Sequence, residues 1–210
     1  MKTILFDFDG TLTDSFQQGL KLFNSLAHEY HYRKIKRNEL KRLRNLPARE
    51  VQKILGISAI KMLFLVRRVR KELSKSATHT KLIPGWKKTL VLLKKQGYCL
   101  GIVTSNSHTI VKDFLKRNKI NVFDFIKAGV RVFGKKRAIK KVLLRNAKET
   151  NNTVYVGDET RDIEAARKSN IKIIAVAWGF NSEKALKKMK PDAVIKKPEE
   201  LIQALKRLFT

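Results

Sequence analysis

Apolar and polar positions change their period several times along this chain, and the changes divide it into two kinds of segment. Thr3-Ile4-Leu5-Phe6 is a continuous apolar, β-favouring run that predicts a buried first strand. After Ser15 the spacing becomes helical: Leu20, Phe23, Ala27 and Tyr30, with Leu22 and Leu26, predict a helix over 16–32 capped by Asp14 or Ser15. Asn38 is positioned to cap a short helix to 46, and Pro47 to open another that ends at Gly56. A longer helix is predicted over 58–78, with Ile60, Leu63, Phe64 and Val66 turned inward. Residues 15–80 thus read as wholly helical.

From Pro84 onward short apolar runs alternate with helical ones. Strands are predicted at 98–103, 125–128, 153–156, 171–177 and 193–195. Helices are predicted at 84–96, opened by Pro84-Gly85, and at 107–118, 136–148, 159–169, 182–189 and from Pro198. Such alternation implies a parallel sheet covered on both faces, with ligands beyond the carboxyl ends of its strands. The expected fold class is therefore α/β: a Rossmann-like parallel sheet core formed by 1–14 and 81–210, with an all-helical cap inserted at 15–80. The hinges fall near 13–16 and 78–84.

Candidate chemistry gathers where strands end. Asp7-Phe8-Asp9-Gly10-Thr11-Leu12-Thr13-Asp14-Ser15 follows the first strand. Residues i and i+2 of an extended chain point the same way, so Asp7 and Asp9 can address one site, and Gly10 permits a sharp turn. Acids beside hydroxyls suit a hard cation and a phosphate, although Asp, Gly and Thr are also ordinary turn residues. Thr104-Ser105-Asn106-Ser107 follows the strand at 98–103 and opens a helix, where a hydroxyl and successive N–H groups favour an anion or simply cap the helix. Gly134-Lys135-Lys136 places cations at a helix start, where the dipole disfavours them. Gly157-Asp158-Glu159-Thr160-Arg161-Asp162 brings a second carboxylate back one helical turn after the first. Glu159 reads as solvated.

The stretch DFDGTLTDS resembles the first signature motif of the haloacid-dehalogenase-like hydrolase superfamily. The resemblance implies that Asp7 is a nucleophile and Asp9 a general acid/base. The second Asp points to phosphatases and phosphomutases, because dehalogenating members lack it and transport ATPases carry Thr. By the same resemblance Thr104, with Ser105 and Asn106, would bind the transferring phosphoryl group. Lys135, taken in preference to Lys136, would pair with the nucleophile and phosphate, although the common Lys-Pro form of that motif is absent. Gly-Asp-x-x-x-Asp would make Asp158 a direct Mg²⁺ ligand and Asp162 a direct or water-mediated one, alongside Asp7 and the Asp9 carbonyl. The run Asp162-Ile163-Glu164-Ala165-Ala166-Arg167 is typical of the phosphoglycolate-phosphatase-like branch, whose members insert a helical cap after the first motif.

The expected activity is Mg²⁺-dependent hydrolysis of a small phosphorylated metabolite, such as phosphoglycolate or a sugar phosphate, through an aspartyl-phosphate. A phosphomutase would share these residues. A phosphonate hydrolase would need a cap amine, for which Lys21, Lys53 and Lys61 are candidates. A nucleic-acid-binding protein or nucleic-acid-end phosphatase on this fold is the remaining alternative. His28, His31, His79 and His108 form no ligand pair or triad. Cys99 is alone in the chain and reads as a buried core thiol, which fits a reducing compartment. The chain is expected to lack a signal peptide and a membrane span, and to be cytoplasmic.

Charge alters the picture last. The 210 residues hold 47 Lys and Arg against 18 Asp and Glu, a net +29, which attracts anions. Residues 15–80 carry 16 against 4, and the other 144 residues 31 against 14, so no single arm concentrates the charge. The field is therefore expected to raise encounter with small phosphorylated substrates, and any nucleic-acid binding to be nonspecific. Titration with labelled single- and double-stranded oligonucleotides should show binding at about 50 mM salt that collapses by about 200 mM, because counterion release drives it. Selective binding that survives the higher salt and is lost on neutralising Arg67, Arg68 and Arg70 would contradict this reading.

Overall fold

The computed structural model describes residues 1–75, 80–131, 134–145 and 149–209. Six parallel strands form one sheet: β1 (Thr3–Phe6), β2 (Cys99–Val103), β3 (Phe125–Lys127), β4 (Thr153–Gly157), β5 (Lys172–Val176) and β6 (Ala193–Ile195), in the order β3-β2-β1-β4-β5-β6. Leu5 pairs with Gly101 of β2 and with Tyr155 of β4, so β1 is central. From β1 the chain winds outward through β2 to β3, then returns to β4 on the other side. The carboxyl ends of β2, β1 and β4 are neighbours at that reversal, which is where such sheets bind ligands.

Strand alternation distributes the core between the two faces. Ile4 and Phe6 pack with Trp86 and Leu90 of α5 (Trp86–Lys95), Phe114 of α6 (His108–Arg117) and Leu205 of α10 (Glu200–Leu208). Leu5 packs with Ile139 of α7 (Lys135–Arg145), Ile163 of α8 (Thr160–Arg167) and Leu186 of α9 (Glu183–Lys188) on the other face. The periodicity of 84–208 therefore gives the right elements in the right order. No helix among the described residues is long and apolar enough to cross a membrane.

Between β1 and α5 the described chain is helical: α1 (Phe16–Ser25), α2 (Arg37–Leu43), α3 (Ala48–Ile54) and α4 (Ala59–Lys75). These helices bury a cluster of their own, formed by Leu26, Leu43, Val51, Leu55, Ile57 and Leu65. Two short backbone pairings join this insert to the sheet domain. The Asp14 N–H donates to the Lys81 carbonyl at 2.9 Å, and the Ile83 N–H donates to the Leu12 carbonyl at 3.0 Å. The outgoing and returning chains are thus hydrogen-bonded side by side. Thr78 of the expected second hinge and His79 lie outside the described residues, as do the side chains of Leu63, Val66 and Arg70.

Inside the insert several expectations are corrected. α1 ends at Ser25 instead of continuing to Tyr32. The Asn24 side chain bonds both the N–H and the carbonyl of Ile35, at 2.8 and 2.9 Å, and turns the chain back. α2 is capped through Glu39, which accepts from the Lys36 N–H at 2.7 Å, and not by Asn38. The Ser15 hydroxyl accepts from the Gly10 N–H at 3.1 Å, so it makes no side-chain cap to α1.

In α4, Ile60 is 73 % exposed and Phe64 54 %, whereas Leu65 is fully buried. The inward stripe is Met62, Leu65 and Val69, at helical spacing. The unbroken apolar run at 62–66 hid which of its faces was buried. Leu65→Ala should therefore destabilise the protein by about 2–5 kcal/mol, while Ile60→Ala and Phe64→Ala should each stay within about 0.5 kcal/mol. Urea unfolding of the three variants checks this ranking.

Candidate active site

The site starts from the turn that ends β1. Asp7 continues the ladder, its N–H donating to the Val156 carbonyl at 2.8 Å, and its carboxylate accepts from the Phe8 N–H at 2.8 Å. Gly10 then adopts φ +71°, and a Cβ there would lie 2.3 Å from an Asp158 carboxylate oxygen. Both the backbone angle and the space exclude a side chain. The turn is held from below, because the Thr11 carbonyl accepts from the indole N–H of Trp86 at 2.8 Å and of Trp178 at 3.1 Å.

Three buried carboxylates, Asp7, Asp158 and Asp162, meet at the adjoining ends of β1, β4 and α8, with one oxygen of each within 4.8 Å of the others. Lys135 reaches them from the first turn of α7. Its ammonium donates to Asp7 Oδ2 at 2.8 Å and to Asp162 Oδ1, and lies 5.5 Å from the centre of the Tyr155 ring. Lys136 is exposed to solvent. Asp158 is fixed by two donors, the Thr11 hydroxyl at 2.9 Å and the Phe180 N–H at 2.7 Å. Asp162 also accepts from the Glu159 N–H at 3.1 Å, the capping bond of α8.

The electrostatics are those of a site short of positive charge. Burial pushes the Asp158 carboxyl well above its ordinary range, and the charges of Glu159, Asp162 and Asp7 push the same way. Burial also raises Asp162, opposed by Lys135, to about 6. Burial alone would lower the Lys135 ammonium, but Asp162 and Asp7 outweigh it and hold it well above its usual value. One ammonium faces three acids, and a divalent cation is the charge this donor set fits.

Asp9 turns the other way. Its carboxylate accepts from the Asn106 side-chain amide at 2.8 Å, beside a small cleft of about 20 Å³ whose walls include Ser15, Thr80 and Ile110. Thr104, fully buried at the end of β2, accepts at its hydroxyl from the Asn106 N–H at 3.0 Å. Ser105 stands half-buried between them, and Ser107 caps α6 through the Ile110 N–H at 3.3 Å. Asp7 and Asp9 thus share one turn while their carboxylates address different partners. His28, His31 and His108 are exposed. Of the three candidate amines, Lys21 and Lys53 are exposed as well and Lys61 is half-buried.

Some residues around the site were misread or passed over in the sequence. Glu159 is half-buried and paired with Arg161 at 2.5 Å, which corrects its reading as a solvated acid. The Tyr155 hydroxyl donates to the Val103 carbonyl at 3.1 Å, bracing β4 against β2 beneath Lys135. The loop after β5 supplies the Phe180 N–H, and a Cβ at Gly179 would lie 2.2 Å from Asp158 Cβ. Applying the strand-end rule to β5 as well as β1, β2 and β4 would have pointed to this loop.

The sequence profile of the haloacid dehalogenase-like hydrolases matches residues 4–176. A phosphoglycolate phosphatase of Synechococcus elongatus is 34% identical over 210 residues, covering 100% of this chain and 99% of the relative. A pyrophosphatase PpaX of Bacillus mycoides is 26% identical, covering 99% and 98%. Among solved structures, a haloacid dehalogenase-like family hydrolase of Streptococcus pneumoniae aligns with a TM-score of 0.76 at 23% identity, over 98% of each chain.

A pH dependence follows from the acid cluster. Asp162 has a folded-state value of about 6, above the roughly 3.9 of an unfolded Asp, so the folded protein binds its proton more tightly. Its contribution to stability is then present at low pH and lost as pH rises through about 4 to 6. A divalent cation, which binds only the ionised acids, should raise the melting temperature more at about pH 7.5 than at about pH 5. Thermal unfolding with and without cation at both pH values measures this.

Proposed function

Because the chain belongs to the haloacid dehalogenase-like hydrolase family, we propose that it is a Mg²⁺-dependent phosphomonoester hydrolase acting through an aspartyl-phosphate on a small phosphorylated metabolite. The observation that carries this reading is the Asp7 carboxylate at the tip of the central strand, held by Lys135 and converging with Asp158 and Asp162. Phosphoglycolate or a sugar phosphate is the substrate class, in keeping with the phosphoglycolate phosphatase to which the chain is similar.

In this mechanism an Asp7 oxygen attacks phosphorus, the bond to the leaving oxygen breaks, and an acyl phosphate forms. Asp9 is protonated at that moment and gives its proton to the departing alkoxide. As a carboxylate it then takes a proton from water, which attacks phosphorus and releases inorganic phosphate and Asp7. Asn106, bonded to both Asp9 and Thr104, orients the acid and the hydroxyl. Thr104, Ser105 and Lys135 bind the phosphoryl oxygens. Asp7, Asp158, the Asp9 carbonyl and Asp162, directly or through water, would hold Mg²⁺, which supplies positive charge to those oxygens. Thr11 and Phe180 keep Asp158 aimed by occupying its oxygens from behind.

The same proposal divides the chain into a core, 1–14 and 81–210, and a helical cap, 15–80, that covers the cleft beside Asp9. A reducing, cytoplasmic compartment fits the single, buried Cys99.

Asp7→Asn should lower turnover of p-nitrophenyl phosphate by about 10³-fold or more with the fold intact by circular dichroism. Asp9→Asn should damage hydrolysis of an alkyl phosphate far more than that of the activated aryl ester, whose leaving group needs little protonation. Retention of most of the activity by Asp7→Asn would remove the covalent route. Transfer of phosphate to a second sugar hydroxyl, in place of its release to water, would assign a phosphomutase.

A further inference from the structure

The insert and the acid cluster are physically connected through residues 44–46, and Arg44 makes the side-chain grip. Arg44, the residue that follows α2 and caps it, reaches out of the helical insert to the loop after β5. Its Nε donates to the Phe180 carbonyl at 3.0 Å and its Nη2 to the Gly179 carbonyl at 2.7 Å. The guanidinium also lies 5.1 Å from the centre of the Phe16 ring, which in turn meets Phe180 edge-on at 6.0 Å. The backbone returns the contact, since the Arg44 carbonyl accepts from the Ser182 N–H at 2.9 Å and from the Asn181 amide at 3.2 Å. The same amide reaches the Leu46 carbonyl at 3.1 Å, and the Ser182 hydroxyl bonds Asn45.

The far side of this loop belongs to the site. The Phe180 N–H holds Asp158 Oδ2, and the Asn181 N–H donates to the Asp158 carbonyl at 3.2 Å. The Asn181 side-chain oxygen accepts from the Thr160 N–H at 2.9 Å, at the start of the helix that carries Asp162. Asn181 is 1 % exposed, so its side chain spans from the insert to α8 with no solvent between. Arg44 itself is half-buried, and burial lowers its pKa against the pull of Asp158. A cation drawn into that position and bonded to two carbonyls is a costly way to join two domains, unless the loop it grips must be held in one shape.

We propose that Arg44 is a positioning residue: by gripping residues 179–182 it makes the orientation of Asp158 and of the α8 start depend on the docking of the helical insert. With the insert docked, the Phe180 and Asn181 donors are fixed and Asp158 is aimed. With the Arg44 side chain removed, the Gly179 and Phe180 carbonyls lose their donors and the donors behind Asp158 loosen, while the bonds of Asn181 and Ser182 to the backbone of 44–46 remain. Insert docking is thereby read by a carboxylate that Arg44 does not touch. The activity arm of this inference rests on the phosphatase reading. Its structural arm does not.

The test uses the full chain and three variants. Arg44→Met keeps the aliphatic contact and removes the donors. Arg44→Lys keeps the charge but cannot span both carbonyls. Arg42→Ala removes an exposed cation from the same helix and serves as the control. Amide hydrogen exchange should show Phe180, Asn181 and Ser182 exchanging about tenfold faster in both Arg44 variants, with β1 and β4 unchanged and Arg42→Ala like the parent. With p-nitrophenyl phosphate, kcat should fall about tenfold with little change in KM, and the Mg²⁺ needed for half-activation should rise.

Parent-like protection of the loop in Arg44→Met would overturn the proposal. So would full restoration by Arg44→Lys, or loss of protection spread through the sheet. If Arg44→Met does not fold, the milder Arg44→Lys decides by the same readouts. If the parent protein hydrolyses no phosphomonoester, the phosphatase reading fails while the exchange result still judges the Arg44 grip.

Discussion

Three carboxylates converging in a buried site, answered by one ammonium, are the constraint that the surrounding structure serves. Asp7, Asp158 and Asp162 repel one another wherever the solvent is excluded, and Lys135 offsets only part of that repulsion. Holding them together requires rigid supports that approach from several directions. The central strand, its β4 neighbour and the first turns of α7 and α8 supply those supports. The two hydrophobic layers beneath them act as the counterweight, since the acids sit at the rim of a core in which Ile4, Leu5 and Phe6 are fully buried.

The turn after β1 carries a second demand, because it must shape the site and also release the chain into the helical insert. Gly10 lets the backbone pass under Asp158, and Thr11 gives its hydroxyl to that acid and its carbonyl to two indoles. Over the next three residues the chain pairs with 81–83 and leaves. The same few residues therefore hold a buried acid, anchor the turn to the core and lead the chain into the helical insert. Arg44 closes the circuit from within the insert, at the loop beside Asp158.

The core elements were legible because each buried strand is a short apolar run bounded by turn residues, as in Thr153–Gly157. Strand ends could be read as sites because parallel sheets place ligands there. The insert was less legible. Its small core leaves helix boundaries to local competition, as where Asn24 bonds Ile35 and ends α1 early. In α4 five successive apolar residues are compatible with more than one buried face, and only packing against Leu26 and Leu43 selects Leu65 over Ile60 and Phe64.

By itself the sequence determined the parallel α/β architecture, the order of its elements and the acids at the strand ends, because periodicity and turn chemistry are local properties, whereas Lys135 was singled out only by the resemblance to the family. The tertiary structure alone decided which of those groups meet. Asp7 and Asp9 are two residues apart, yet one joins Asp158 and Asp162 from the other half of the chain while the other turns to Asn106. Nothing local relates Arg44 to Gly179, or Thr11 to Trp178. Such pairs exist because the sheet order sets β1 between β2 and β4 and brings the loop after β5 over the same edge. Distance along the chain has no bearing on that placement.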